Sequence, residues 1–234
     1  MSAIKGARER ARDEVTAAIK DEARRQLAQG GAAKLSLRAV ARELGMVSSA
    51  LYRYFPSRDD LLTELIIDAY DALGEAAERA LATTVDETPA SRWQSVCRGV
   101  RTWALAHPHE YALIYGSPVP GYRAPQDTTG PAARVALALI AVLREAHEAG
   151  ELQEVAESTA PEPVRDDAQR LADVLGIDLP APTVAGLTAT WAQLFGLVSF
   201  EVFGQFNHVV EARDVFFDQA TAGLGRQLGI LPGE

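Results

Sequence analysis

The stretch Leu35-Ser36-Leu37-Arg38-Ala39-Val40-Ala41-Arg42-Glu43-Leu44-Gly45-Met46-Val47-Ser48-Ser49-Ala50-Leu51-Tyr52-Arg53-Tyr54-Phe55-Pro56-Ser57-Arg58 decides the fold. It reads as two short helices meeting at a glycine turn. Counted from Leu37, the fifth residue is the small Ala41 and the ninth is Gly45. The fourth, eighth, tenth and fifteenth are the apolar Val40, Leu44, Met46 and Leu51. A small residue lets the helices approach, glycine accepts the turn's positive φ, and the apolar set pins the pair together. This is the pattern of a helix-turn-helix, whose second helix lies in the DNA major groove.

Outward from this stretch, residues 5–29 are charged, with Val15, Ile19, Ala23 and Leu27 stepping by four as a narrow apolar stripe. Gly30-Gly31 ends that helix. Ser36 suits the N-cap of the next helix, and Ser48 that of the second short helix, which runs to Phe55 before Pro56. Ser57, with Asp60 three residues on, reads as a capping-box variant opening a helix of about twenty-five residues over 59–82. The net charge of −9 hides a division: residues 1–58 carry +6 and residues 59–234 carry −15. A basic head on an acidic body fits a DNA-reading module joined to a domain of other purpose.

The segment Leu51-Tyr52-Arg53-Tyr54-Phe55-Pro56-Ser57-Arg58-Asp59-Asp60-Leu61-Leu62 closely resembles the signature of the TetR family of bacterial transcriptional regulators. Gly30 and Leu35-Ser36-Leu37-Arg38-Ala39-Val40-Ala41 fit as well, so the resemblance spans roughly residues 10–65. It implies that Ser48, Ser49 and Arg53 face base edges. Arg53 leads as a guanine reader, since its planar fork pairs with O6 and N7. Arg38 would reach a phosphate or a base. Tyr52, Tyr54 and Arg58 match phosphate-binding positions, and Lys34 and Ser36 add backbone contacts. Tyr54 has a competing role as a packing residue. The recognition helix holds few amides or bulky base readers, which leaves room for shape readout.

Downstream, the pattern predicts helices over 90–106, 110–115, 131–149, 164–175, 182–207 and 211–229, an acidic mobile loop at 151–163, and no strands. The expected fold is therefore all-α: a three-helix helix-turn-helix domain (1–58), a connecting helix (59–82) and a C-terminal helical domain (83–234). The family resemblance implies that this last domain binds ligand and dimerises through 182–207 and 211–229. Trp191-Ala192-Gln193-Leu194-Phe195-Gly196 and the loop 116–125 resemble one TetR C-terminal subfamily, in which Trp is followed by His-Gly. Phe195 stands here in place of that His. Gly196 and Gly204 would permit close helix approach. Pocket candidates are Trp103, Tyr111, Tyr115, Trp191 and Phe195 as apolar wall, with Arg123 as a polar contact.

The rest is exclusion. One cysteine, Cys97, allows no internal disulfide and fits a reducing cytoplasm. The charge-free span Leu179–Phe200 holds too many Pro, Gly, Thr and Gln residues for a bilayer and suits a buried helix. The four histidines are scattered, and no metal-ligand spacing, catalytic constellation or phosphate-cradling loop is present. The expectation is a non-enzymatic regulator without cofactor or metal. Its partners would be double-stranded operator DNA, a small-molecule effector and a second copy of itself, with no membrane. The reading is a repressor released by that effector. The alternative is a small-molecule or protein-binding helical module whose helix-turn-helix no longer reads an operator.

Overall fold

The computed structural model describes residues 2–153 and 161–230. Ten helices carry the described chain: α1 (Ser2–Gly30), α2 (Leu37–Glu43), α3 (Ser48–Leu51), α4 (Arg58–Ala82), α5 (Pro89–Ala106), α6 (Pro108–Tyr115), α7 (Thr129–Glu148), α8 (Glu162–Leu175), α9 (Ala181–Val202) and α10 (Arg213–Gln227). Among the described residues the sole extended pairing is an isolated bridge between Leu152 and Ile230. The all-α expectation is met. The acidic loop expected at 151–163 falls largely on 154–160, which lie outside the described residues.

Contacts group the chain into two compact units, Met1–Asp71 with His107–Ala132, and Ala72–Ala106 with Ala133–Glu234. This differs from the division at 58 and 82 read from the sequence. Residues 107–132 belong with the head. The reason is long-range packing that no local pattern announces. Leu113, Val119 and Tyr122 pack on the core built from Ile19, Leu27, Val40, Leu51, Phe55 and Leu61. The hydroxyls of Thr63 and Tyr122 share a hydrogen bond of 2.9 Å. Arg24 joins Asp68 of α4 at 2.6 Å and Glu110 of α6 at 3.4 Å. Each Leu, Ile or Phe withdrawn fully into this core contributes about 1.5–3 kcal/mol.

The second unit is built on α5, α9 and α10, with α8 laid on α9. Its core holds Trp93, Val100, Leu139, Leu143, Leu194 and Val198, all buried. The Trp93 indole N–H donates to the Thr221 carbonyl at 2.9 Å, and Gly225 leaves the room for that ring. Arg101 of α5 spans both neighbours, donating to Glu201 of α9 at 2.6 and 2.7 Å and pairing with Asp214 of α10 at 2.7 Å. By length and hydropathy Pro182–Val202 alone among the described helices is apolar enough to cross a membrane; it packs against α5, α8 and α10 and leaves Phe200 half-exposed.

Three boundaries differ from the pattern. The helix α9 stops at Val202 rather than 207, because the chain turns through Gly204 at φ +80 and His208 at φ +61. Regular α-helix in α3 ends at Leu51, with residues 52–54 continuing as a turn. Val47, not Ser48, occupies its N-cap, which leaves the Ser48 hydroxyl on the first helical turn and exposed. Gly196, expected at a close helix approach, faces nothing within 4 Å.

Candidate nucleic-acid interface

The site is set by how α2 ends. Gly45 takes φ +65, its N–H donates to the Arg42 carbonyl at 3.1 Å, and the Met46 N–H reaches back to Ala41 at 2.8 Å. Those two bonds are a Schellman motif, which satisfies the last carbonyls of α2 and turns the chain sharply into α3. Val40, Ala41 and Leu51 are buried beneath the turn, and Leu44 and Met46 partly so. On the other side, Arg38, Ser48, Ser49, Tyr52 and Arg53 are exposed.

The cations of the first unit fall into two sets. Lys20, Arg24 and Arg25 are paired: Lys20 with Glu64 and Asp68, Arg24 with Asp21, Asp68 and Glu110, and Arg25 with Glu22. Burial works against the Lys20 charge, but its hydrogen bonds to Glu64 and Asp68 prevail and raise its pKa. Arg38 and Arg53 make no ion pair among the described residues. Unpaired, exposed guanidinium groups on a helix-turn-helix face are groups that DNA phosphates or base edges can take up.

The remaining expected contacts divide. Lys34 is exposed, its stem lying over Gly30. The Ser36 hydroxyl caps α2, accepting from the Ala39 N–H at 3.5 Å. Arg58, expected at a phosphate, also binds within the chain. Its guanidinium donates to the carbonyls of Leu35 at 3.2 Å and Ala32 at 2.7 Å, and sits 3.5 Å from Asp59. It ties the turn before α2 to the start of α4. Ser57 caps α4 as expected, accepting from the Asp60 N–H at 3.1 Å and donating to the Asp60 carboxylate at 2.8 Å. Tyr54 is half-buried, and the Arg12 guanidinium lies over its ring at 5.6 Å. Motif spacing does not single out Arg12, because it stands far from the helix-turn-helix in sequence.

The six pocket candidates fall in both units. In the first, Tyr111 is fully buried and its ring lies 5.1 Å from Tyr115, which meets Tyr70 edge-on at 6.0 Å, while Arg123 is exposed. Burial, with Tyr70 and Tyr111 beside it, pushes the Tyr115 phenol well above its ordinary range. In the second, Trp103 and Phe195 are buried, and Trp191 meets Phe195 edge-on at 5.6 Å. The Trp191 indole N–H and the Thr190 hydroxyl are buried with no hydrogen-bond partner among the described residues. A cavity of about 500 Å³ in the first unit is lined instead by Leu27, Gly31, His109, Leu113 and Val119. Cys97 is fully buried, and burial drives its thiol far above the range of a nucleophile. Among the described residues no group of three His, Cys, Asp or Glu is placed to hold a metal.

An exposed cationic face on a Schellman-turned helix pair defines a helix-turn-helix DNA-binding protein. The profile described as "Bacterial regulatory proteins, tetR family" matches residues 19–65, and "Tetracyclin repressor-like, C-terminal domain" matches residues 93–224. The chain is 41% identical over 218 residues to the HTH-type transcriptional regulator Rv1816 of Mycobacterium tuberculosis, covering 92% of this chain and 93% of that one. The crystal structure of SCO4313 superposes with a TM-score of 0.74 at 35% identity, over 92% of this chain and 97% of the other. RolR, solved in complex with resorcinol, shares the fold at a TM-score of 0.52 and 16% identity, over 97% and 98%. The chain belongs to the TetR family, a family of transcriptional regulators and not of enzymes. The resemblance carried by residues 10–65 is borne out.

Proposed function

We propose that the protein is a homodimeric, cytoplasmic repressor that binds a pseudo-palindromic operator and is released by a small molecule. The observation that carries this is the pair of exposed, unpaired guanidinium groups, Arg38 and Arg53, beside Ser48 and Ser49 on the turn-presented face. Arg53 reads a base edge, and Lys34, Arg38 and Tyr52 bear on phosphates. Two such faces about 34 Å apart match successive major grooves.

Support for the second copy comes from α9 and α10. Phe200 is 52% exposed and Val215 69%, with Phe203 and Phe216 also partly open. Support for the effector comes from the Trp191 N–H and Thr190 hydroxyl of the second unit, buried with no hydrogen-bond partner among the described residues, which a ligand oxygen would satisfy. RolR's resorcinol makes a small aromatic effector the first class to screen. An effector that binds a DNA-incompetent state more tightly lowers operator affinity, and operator lowers effector affinity by the same factor. The helix α4, which supplies residues to both units, is the natural lever.

The test is selection of duplexes from a random-sequence pool by the purified protein. A palindrome-containing site should emerge, bound with salt-sensitive affinity. Arg53→Ala should cost about 1–3 kcal/mol on the selected site and relax preference at one position per half-site. Failure of the wild-type protein to enrich any sequence would sink the reading.

A further inference from the structure

We infer that the N-terminal turns of α1 form a second DNA contact, a phosphate-binding edge built from Arg8 and Arg12 beside Arg53 and Tyr54. This rests on the operator-binding reading above and extends the contact beyond the helix-turn-helix.

Val15, Ile19, Ala23 and Leu27 form the stripe that faces the core of the first unit, with Ile19, Ala23 and Leu27 buried. Residues three, four and seven positions before the stripe's start share its face. Those positions are Arg12, Ala11 and Arg8. So the apolar stripe of α1 gives way to arginine on the same face.

Geometry supplies the second observation. Arg12 is exposed, and its guanidinium lies over the Tyr54 ring, within the range of a cation–π contact. Arg8, Glu9, Arg12, Arg53 and Tyr54 together line one groove of about 450 Å³. Three guanidinium groups and one phenol thus meet a single carboxylate, Glu9. Arg8 and Arg12 have no ion-pair partner among the described residues, whereas Lys20, Arg24 and Arg25 further along the same helix are each paired. The pairing changes where the helix passes from the core to the side of Arg53. Since Arg53 and Tyr54 are on the recognition element, a duplex engaged there brings its backbone to the same groove. The ligand is therefore the phosphodiester backbone, and the contact adds affinity without base information.

The experiment compares wild type, Arg8→Gln/Arg12→Gln and Arg8→Lys/Arg12→Lys on the selected duplex and on a random duplex across a salt series. Glutamine keeps helix propensity, and unchanged helical circular dichroism confirms the fold. The expected result is a salt slope shallower by about 1 for each phosphate no longer neutralised, with affinity falling about tenfold at low salt on both duplexes alike. The lysine variant should recover the slope. If the glutamine variant keeps the wild-type slope on the selected duplex, this inference falls and the operator reading stands. If wild type enriches no sequence, the operator reading falls, and with it this second DNA contact.

Discussion

Gly74 shows how much one missing side chain decides. A Cβ there would lie 2.5 Å from the Arg134 Cβ and 2.9 Å from its Cδ and Nε. Glycine lets the Arg134 stem cross α4 and reach Glu78, to which it donates at 2.8 and 2.6 Å. The hydrogen bond from Arg134 holds the Glu78 carboxyl below its ordinary value of 4.5. A carboxyl lowered in the folded state contributes stability above its unfolded pKa and loses it as pH falls through the folded one. Glu78→Gln should therefore lower stability at neutral pH and flatten its decline below pH 4.5. The Glu78 side chain is 47% exposed, so the loss should stay below about 1 kcal/mol. Urea melts of both proteins from pH 7 to 3 check this; a difference that grows toward acid would contradict it. Neither Gly74 nor Gly225 is legible in the sequence as a close-approach position. A glycine's neighbour 50 or more residues away leaves no local mark, whereas Gly45 stands between two periodic segments and reads as a turn.

At the scale of elements, legibility follows the same divide. The helix-turn-helix is readable because its partners are consecutive in sequence, and the burial of Leu37, Val40, Ala41, Leu51 and Phe55 follows the spacing. The placement of α6 with the head is not, because it depends on Tyr122 meeting Thr63 and Glu110 meeting Arg24. Nor are the carbonyl contacts of Arg58, whose motif position suggests phosphate and whose guanidinium also reaches Ala32 and Leu35. Arg101 is a similar case in the second unit. It is 14% exposed against a Glu201 that is 6% exposed, and its guanidinium also lies over the Phe217 ring at 5.1 Å. Arg101→Met leaves the Glu201 carboxylate buried without its cation, which costs about 3–5 kcal/mol. Arg101→Met/Glu201→Met removes both charges and should regain most of that loss. Denaturant midpoints of the three proteins decide; a single variant within about 0.5 kcal/mol of wild type would show the pair to be dispensable.

For the whole molecule, the surface of α9 and α10 has to be accounted for. Phe200 meets Phe206 edge-on at 5.6 Å, and Phe206 meets Phe216 at 5.4 Å. This aromatic row is not sealed within the chain: Phe200 is half-exposed, Val215 more so, and Gly196 on α9 faces open space. Apolar groups of this size left open on two neighbouring helices are what a self-complementary interface uses. Phe200→Asp/Val215→Asp places carboxylates where each copy would meet its own image, so repulsion and desolvation act twice per dimer. Both side chains are exposed in the monomer, so its helical signal and melting should change little. Light scattering should then report about half the mass, with affinity for a two-half-site duplex falling toward that for a single half-site. If mass is unchanged, the copies meet through another face. If mass halves but affinity for the full site is retained, the two recognition helices do not act as a coupled pair, and the palindrome expected of the operator loses its physical basis.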